Sequence, residues 1–452
     1  MALGRQGERQ TELRVSWAEL PRSPGHAFYD RLQGVLLEAG FDGFAEGRCA
    51  PYYAAGQRGR PSLPPGRYFR MHLVGYFEGI DSERGLEWRC SDSLSLREFL
   101  RLATTEPVPD HSWLSKTRAR LPLEVHEAVF AWVLERLAEH GLIKGERIGV
   151  DASTMEANAA LRAIVRRDTG EGYRAMLERL AKESGIATPT ADDLVRLDRK
   201  RKGKRLSNDE RAPPTDPEAR IAKLKDGRTR LAYKPEHAVD LDSGAVIAAE
   251  IHPADRGDTA TLPETLAAAE ANLAVVDAAP TPEDPADLVA DKGYHSRDGL
   301  KGLEDGAWKS RIAERKARGV HRWHGDEAAR RAVYNNRARL RSEVAREAFK
   351  RRAELCERGF ALVLDRGGMR RAWLRGRENL RKRYLVHVAG YNLGLVMRLL
   401  VGAGTPREFL ARASAHLLAF APADDAMLVV LIVATGTEAA MLIVSFEPEL
   451  HG

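Results

Sequence analysis

Two short apolar runs, each ended by an aspartate, constrain the fold of this chain more than any other feature. The run 148–150 leads into Asp151, and the run 288–290 leads into Asp291. Apolar runs of this length are typical of buried strands. An acid at the end of such a strand lies at the edge of an α/β sheet, where ligands and metals bind. The pair therefore predicts a sheet that presents two carboxylates at its edge.

The predicted elements divide the chain into a helical part and a mixed part. Residues 1–140 show helical apolar spacing, so we expect an all-α N-terminal domain. Residues 141–405 combine strands, helices and a hairpin around the turn 242–244, which predicts an α/β domain whose mixed sheet has flanking helices. A first strand that ends in an acid and lies beside a hairpin is the ribonuclease-H-like arrangement. The predicted helices are 28–38, 65–77, 93–102, one that begins at 110–112, 123–140, 158–180, 261–275, 343–357 and 382–400, and the predicted strands are 147–151, 233–240, 245–252, 288–291 and 310–313.

Two further segments differ from the rest in composition. Residues 187–228 are polar and charged and contain several prolines, which predicts a mobile charged insertion. Residues 406–452 form a C-terminal tail of uncertain role. Its most apolar stretch, 427–446, contains Glu438, so we interpret it as a packed β or helical segment rather than a membrane span.

Positive charge is concentrated in one region of the chain. The formal net charge is only +6, but residues 309–352 hold fifteen Lys or Arg against five acids, and residues 370–383 hold seven against one. Clustered positive charge suits a polyanionic partner, and the sequence therefore favours nucleic acid over an ordinary solvated helical surface.

Cysteine use and the N-terminus both indicate the cytoplasm. Cys49, Cys90 and Cys356 are widely scattered and give neither zinc-ligand spacing nor a disulfide framework. The first ten residues lack the apolar core of a signal peptide. We therefore expect a protein of the reducing cytoplasm that has no membrane partner.

The two strand-end acids suit the chemistry of phosphodiester bonds. Asp151 and Asp291 can share a hard divalent cation such as Mg²⁺ or Mn²⁺, which prefers oxygen ligands. Two such ions, about 3.5–4 Å apart, serve the attacking and leaving oxygens of phosphoryl transfer. Taken singly, Asp151 is equally well explained as a helix cap and Asp291 as a turn residue. Taken together, they favour a metal site.

A third acid is expected on the Arg-rich helix that follows. Glu354 and Glu357 are three residues apart and can share one helical face. We choose Glu357 as the third ligand and keep Glu354 as the alternative. Either glutamate would otherwise form an ordinary intrahelical pair with Arg351, Arg352 or Arg358.

Other polar and aromatic residues have at most supporting roles. Residues that follow Asp291 directly are placed to touch a phosphate or a base, whereas those around the hairpin are expected at the surface or behind the site. The tryptophans are expected in the core more often than stacked on bases. These candidates are Lys292, Tyr294 and His295 after Asp291; His237, Asp240, His252, Asp255 and Asp258 around the hairpin; and Trp308, Trp323 and Trp373.

Several stretches together resemble the DDE transposases of bacterial insertion sequences, over roughly residues 25–405. The individual stretches are weak, but the run as a whole is specific. It comprises Tyr52-Tyr53, Gly66-Arg67-Tyr68-Phe69-Arg70-Met71, Gly79-Ile80-Asp81-Ser82-Glu83-Arg84-Gly85-Leu86, Val108-Pro109-Asp110-His111-Ser112-Trp113-Leu114-Ser115, Gly149-Val150-Asp151-Ala152-Ser153-Thr154, Ala290-Asp291-Lys292-Gly293-Tyr294, Cys356-Glu357-Arg358-Gly359-Phe360, Gly367 through Gly376, and Asn392-Leu393-Gly394.

The resemblance implies a ribonuclease-H-like catalytic domain with the triad Asp151, Asp291 and Glu357. It also implies Mg²⁺-dependent cleavage at the inverted repeats of an insertion sequence, strand transfer into target DNA, and a homodimer on DNA in the bacterial nucleoid. The helical N-terminal domain would recognise DNA ends or dimerise. The chain departs from the family signature around the glutamate, because Lys350 stands where Tyr is usual and Ala353 where Arg is usual.

Two alternatives share these sequence features. A metal-dependent nuclease would use the same triad without strand transfer. An inactive relative would bind DNA and cut nothing.

Overall fold

The computed structural model describes residues 27–53, 62–103, 105–200, 207–224, 227–315, 323, 325–419, 428–435 and 438–445. From residue 413 onward only the backbone is described. An N-terminal helical region precedes a mixed α/β region, as the sequence predicted, and the two share one apolar core.

Seven helices form the N-terminal region. Helix α7 packs along the long C-terminal helix α14, which also contacts α3, so the helical region rests on the α/β region. Side chains cap two of these helices: the Ser93 side chain accepts from Leu96 N before α5, and Asp110 accepts from Ser112 N and Trp113 N before α6. The helices are α1 (Ala27–Glu38), α2 (Phe41–Cys49), α3 (Pro65–Glu78), α4 (Glu83–Ser91), α5 (Leu94–Phe99), α6 (His111–Arg120) and α7 (Leu123–Glu139), and α14 is Arg377–Val401.

Helices α2 and α4 were missed by sequence reasoning. Helix α2 contains two glycines, which lower its helical propensity, but Phe41 packs against Trp132 with ring centroids 4.9 Å apart. Helix α4 is mostly polar and begins at Ser82, whose side chain accepts from Gly85 N. Tertiary packing and a cap, rather than apolar periodicity, stabilise these two helices.

The α/β region is built on a seven-stranded mixed sheet. Its five main strands lie in the order β7-β6-β1-β8-β9, with β6 antiparallel to both β1 and β7, and with β8 and β9 parallel to β1. This is the ribonuclease-H-like arrangement predicted from the sequence. The strands are β1 (Arg147–Ala152), β2 (Met155–Glu156), β3 (Val165–Arg166), β4 (Arg211–Ala212), β5 (Arg220–Lys223), β6 (Thr229–Asp240), β7 (Val246–Pro253), β8 (Ala286–Ala290) and β9 (Trp308–Ile312).

Helices flank this sheet, and the final strands form a separate hairpin. Helix α13 continues into a π-helical turn, Ala361–Arg366. Strands β10 and β11 pair antiparallel within the apolar stretch 427–446, consistent with its interpretation as a β segment. The remaining elements are α8 (Tyr173–Glu183), α9 (Ala191–Lys200), α10 (Asp258–Val275), α11 (Arg297–Leu303), α12 (Glu327–Leu340), α13 (Glu343–Phe360), α15 (Pro406–Ala419), β10 (Leu428–Thr435) and β11 (Glu438–Ser445).

Two predictions in the middle of the chain need correction. The predicted helix over 158–180 is wrong in its first half, because Gly170 has a φ of 70° and closes a turn onto Arg166; helix α8 begins only at Tyr173. The predicted mobile insertion at 187–228 contains regular structure. Helix α9 lies within it, and β5 joins the main sheet by pairing with β6.

Helix α14 is the core helix of the molecule. By length and apolar composition alone, the stretch Arg377–Arg412 would qualify as a membrane span among the described residues. Most of its apolar window is nevertheless buried inside the protein. Asn392 shows the fit: its side chain accepts from Val246 N at 3.0 Å and donates to Val246 O at 2.8 Å, which ties α14 to β7.

Candidate active site

The two aspartates predicted from the sequence leave the sheet side by side. Strands β1 and β8 are parallel neighbours, and Val150 is paired with Ala290. Asp151 and Asp291 are the next residues of the two strands, which in a sheet lie about 4.8 Å apart. The helix-cap alternative for Asp151 is wrong, because β1 continues through Ala152. Both carboxylates therefore begin from the same edge of the sheet.

Asp151 is held by a buried arginine of helix α13. Arg352 Nη2 lies 2.9 Å from Asp151 Oδ1, and Arg352 Nε donates to the carbonyl oxygen of Val150 at 2.9 Å. The same carboxylate oxygen also accepts from Ala152 N at 2.9 Å. Because the Arg352 side chain is only 10% exposed, this ion pair is shielded from solvent and is stronger than a surface pair.

Asp291 closes a tight turn after β8. Its Oδ1 accepts from Gly293 N at 2.7 Å, so the turn interpretation of Asp291 also holds in this conformation. A Cβ atom added at Gly293 would overlap Asp258 Oδ2 and lie 2.9 Å from Asp291 Oδ1. Asp258, the first residue of α10, therefore brings a second carboxylate to the same turn.

A buried carboxylate, Glu236, anchors this turn from behind. Tyr294 donates to Glu236 Oε1 at 2.7 Å; Thr261 and Thr265 donate to the same carboxylate at 2.9 and 2.5 Å. Burial alone would raise the pKa of Glu236. A hydrogen bond from His252, the charge of Lys234 and the bonds from Thr265 and Tyr294 outweigh it and hold that pKa at about 2. Glu236 is therefore ionised inside the core.

Lys234 connects this anchor to the turn. Its Nζ lies 3.4 Å from Glu236 Oε1, 2.6 Å from Asp258 Oδ1 and 2.9 Å from Thr261 Oγ1. Sequence reasoning missed Lys234 and Glu236. The signal that could have found them is that both charged residues lie within β6, a strand that is buried over most of its length. A buried charge needs a partner, so each residue indicates a nearby opposite charge or hydrogen-bond partner.

The hairpin candidates have structural roles. His237 is buried opposite Asp151, where Tyr384 Oη lies 2.7 Å from its Nε2 and its ring stacks on Phe360 with centroids 4.2 Å apart. Asp240 accepts from Lys144 N and Gly145 N at the other end of the sheet. Neither residue lies at the surface. His237, opposite Asp151, fits the alternative expectation of a position behind the site, whereas Asp240 lies away from both acids.

The three tryptophans divide between core and surface. Trp308 is buried and donates to Glu270, as expected for a core residue. Trp373 is 44% exposed, and its Nε1 donates to Asp81 at 2.7 Å. Trp323 lies 4.9 Å from the guanidinium of Arg297.

Helix α13 carries both candidate glutamates on its exposed side. Arg351 donates to the carbonyls of Leu241 and Asp242, so this flank of α13 faces the β6–β7 turn at the amino end of β1. Glu357 and Glu354 lie about 140° and about 160° around the helix from Arg352, the residue that reaches Asp151, and both side chains are exposed. Glu354 also pairs with Arg358 on the exposed side.

The acids do not form a closed ligand set in this conformation. Across the residues that the structure describes, no group of three His, Cys, Asp or Glu side chains is close enough to hold a metal ion. Carboxylates repel each other when no cation lies between them. Asp151 is paired with Arg352 instead. The donors nevertheless fit a hard cation in kind, because adjacent strand ends supply carboxylate oxygens.

Two family comparisons agree with this geometry. Residues 21–120 match the transposase domain DUF772, and residues 197–393 match the transposase DDE domain. The chain belongs to the DDE transposases of insertion-sequence type. No curated protein and no solved structure matches it. The two family matches confirm the resemblance to DDE transposases that was identified from the sequence. DDE transposases act on DNA and generally use divalent metal ions.

The DDE match includes only part of the predicted triad. It spans Asp291 and Glu357 but begins after Asp151. The pairing of β1 with β8 places Asp151 beside Asp291 in this transposase, independently of the match.

Proposed function

We propose that this transposase cuts DNA at the ends of an insertion sequence and joins the freed 3′ ends to target DNA. The observation that carries the proposal is the adjacency of Asp151 and Asp291 at the ends of parallel strands, beneath helix α13. It fits a site for two Mg²⁺ or Mn²⁺ ions held by Asp151, Asp291 and Glu357.

The roles of the residues follow from their positions. Bound divalent cations would activate the attacking oxygen and stabilise the leaving oxygen of the phosphodiester. Asp151 and Asp291 supply firmly held ligands because both leave the sheet directly. Glu357 supplies the third ligand by rotation of a flexible side chain on α13. Glu354 is the weaker candidate because it already pairs with Arg358.

Arg352 has a positioning role in this scheme. While no cation is present it neutralises Asp151 and keeps that carboxylate in line with β1. The network of Glu236, Lys234 and Tyr294 holds the Asp291 turn in the same way from the opposite side. The acids are thus supported by residues that contact neither DNA nor cation.

DNA partners and assembly follow from the reaction. The inverted repeats at both element ends must be cut together, so we expect a homodimer on DNA, in the bacterial cytoplasm at the nucleoid. Basic residues within 309–383 would contact the phosphate backbone. Several of these basic residues already form ion pairs with acidic side chains, which a DNA phosphate would have to replace. Arg337 pairs with Glu314, and Arg370 pairs with Asp365.

The test is a cleavage assay on a plasmid that carries the gene with DNA from both of its sides. With Mg²⁺, the wild-type protein is expected to cut at the element ends and produce joined molecules. Asp151→Asn, Asp291→Asn and Glu357→Gln should each abolish cutting and leave DNA binding intact. Glu354→Gln is the matched control and should cut normally.

Three results would change this conclusion. Cutting by a triad variant removes that residue from the site, and loss of cutting in Glu354→Gln moves the third ligand to Glu354. Cuts without joined products indicate a nuclease. DNA binding without any cutting by the wild-type protein indicates an inactive relative.

A further inference from the structure

We propose that an arginine-lined cleft beside β2, here called the arginine cleft, binds the phosphate backbone of the DNA cut at the acidic edge. This inference rests on the proposed function and adds a surface to it. The arginine cleft has a volume of about 520 Å³, and its lining includes four arginines and one glutamate. The charged lining residues are Arg162, Arg228, Arg230, Arg371 and Glu156.

The arginine cleft lies at the same end of the sheet as the acids. Strand β6 runs antiparallel to β1, so its first residues, including Arg230, extend past the carboxyl end of β1. Strand β2 follows Asp151 closely and pairs with β6 through Met155 and Glu156. The cleft is therefore built from chain segments that begin at the acidic edge.

Besides β6 and β2, the chain that follows α13 lines the arginine cleft. Glu156 N donates to Arg370 O at 3.0 Å, and Ala372 N donates to Glu156 O at 2.8 Å. Arg370 Nη1 also bonds Ser153 Oγ at 3.2 Å. These bonds fix Arg371 next to β2, the strand that follows β1 and Asp151 in the chain.

Two of the four arginines in the arginine cleft have no acidic partner among the described residues. Arg230 Nη1 lies 3.1 Å from Glu156 Oε1, but no acidic side chain among the described residues pairs with Arg162 or Arg371. Arg371 instead lies over the Trp373 ring at 4.8 Å, which restricts its motion. Exposed arginines held without an acid partner are well suited to phosphate oxygens.

The distance between Asp151 and the arginine cleft limits how far from the cleaved bond the cleft can contact the DNA backbone. Glu156 is five positions after Asp151, and an extended chain of five steps spans at most about 17 Å. Phosphates of one DNA strand follow each other at about 3.4 Å along the helix axis. The arginine cleft would therefore hold phosphates within about five base pairs of the bond being cut.

The experiment measures how DNA affinity depends on salt. Full-length Arg162→Ala/Arg371→Ala protein is titrated with a labelled duplex of arbitrary sequence over a range of salt concentrations. Each lost phosphate contact should reduce the slope of log K against log salt by about 0.9, so the double variant should lose about 1.8. Arg162→Lys/Arg371→Lys keeps both charges and should retain most of the slope.

A matched control removes two exposed arginines that acids already neutralise. Arg174 pairs with Glu178, and Arg179 pairs with Glu171 and Glu183. The variant Arg174→Ala/Arg179→Ala should keep the wild-type slope. A wild-type slope in Arg162→Ala/Arg371→Ala, or an equal loss in the control, overturns the proposal.

The proposed function can fail separately. Asp151→Asn should bind with the wild-type slope while cutting nothing. If Asp151→Asn still cuts DNA, the assigned triad fails, whereas the salt slopes still decide the arginine cleft. If cutting depends on Asp151 but the slopes do not change, only the arginine cleft is wrong.

Discussion

Arg352 of helix α13 reaches the end of strand β1, where its Nη2 lies 2.9 Å from Asp151 Oδ1 and its Nε bonds the carbonyl of Val150. The arginine is separated from Asp151 by two hundred residues of chain and belongs to the helix that also carries Glu357. One side chain thus joins the strand of the first acid to the helix of the third. The pair makes the candidate site sensitive to changes on α13.

Replacing Arg352 with Gln should destabilise the protein by about 2–3 kcal/mol in the absence of divalent ions, since a buried charged hydrogen bond is lost. Millimolar Mg²⁺ should restore part of this loss, because Asp151 is then free for the cation. Thermal unfolding with EDTA and with Mg²⁺ measures both effects. Arg358→Gln, on the exposed side of the same helix, should change stability by less than about 0.5 kcal/mol. An Arg352→Gln protein as stable as the wild type with EDTA would contradict the positioning role.

Gly293→Ala should reduce cleavage at least about tenfold, because the new methyl group would overlap Asp258 Oδ2 and crowd Asp291 Oδ1. The measurement is the rate of DNA cutting in Mg²⁺, with circular dichroism to verify folding. Gly302→Ala is the matched control: a methyl group added there would meet no atom within 4 Å, and alanine favours the helix. Equal cutting by the two variants would show that the turn tolerates displacement.

Tyr294→Phe should cost about 1–3 kcal/mol of unfolding free energy. It removes the 2.7 Å bond to Glu236 Oε1 and leaves a buried carboxylate with one donor fewer. Urea denaturation measures the change. Tyr52→Phe removes a hydroxyl from a residue that is 41% exposed and should be neutral. The idea fails if both substitutions have the same small effect.

Stability should fall as pH rises from about 4.5 to 7 through Glu250 on strand β7. Burial, opposed by Arg381 and reinforced by Glu264 and Glu127, raises its pKa from the ordinary 4.5 to about 7. The folded state therefore binds the proton more tightly than the unfolded state, and this contribution is complete below pH 4.5 and lost as pH passes 7. Urea denaturation at pH 5 and pH 8 should show a loss of about 2 kcal/mol.

Glu250→Gln is the variant that isolates this effect. It carries no titrating carboxyl, so the difference between its stabilities at pH 5 and pH 8 should be smaller than that of the wild type by the same amount. Glu264→Gln, at an exposed neighbour, is the control and should keep most of the wild-type pH dependence. Parallel pH profiles for the wild type and Glu250→Gln would contradict the raised pKa.

Much of the fold was accessible from local sequence patterns. The hairpin around 242–244 and strand β1 were predicted nearly in full, because apolar runs and a turn signal coincide there. Helix α2 was not predicted, because its two glycines lower its helical propensity. Packing of Phe41 against Trp132 stabilises the helix instead. The helix predicted from residue 158 was wrong, because Gly170 turns the chain.

The candidate site shows the same division. Asp151 and Asp291 were found because each ends an apolar run, which is a local pattern. The roles of Lys234 and Glu236 depend on Tyr294 and Asp258, which approach them only after β6, α10 and the turn after β8 have packed together. No local periodicity in the sequence predicts that these four residues approach each other.

The sequence by itself determined the order of the five main strands and the two acids at strand ends, because hydrophobic burial acts on residues a few positions apart. Only the tertiary structure decided that Arg352 holds Asp151 and that Glu236 is buried and charged. Those outcomes depend on strand register and helix rotation. Both are fixed by packing between distant segments, where a shift of one residue points a side chain in another direction.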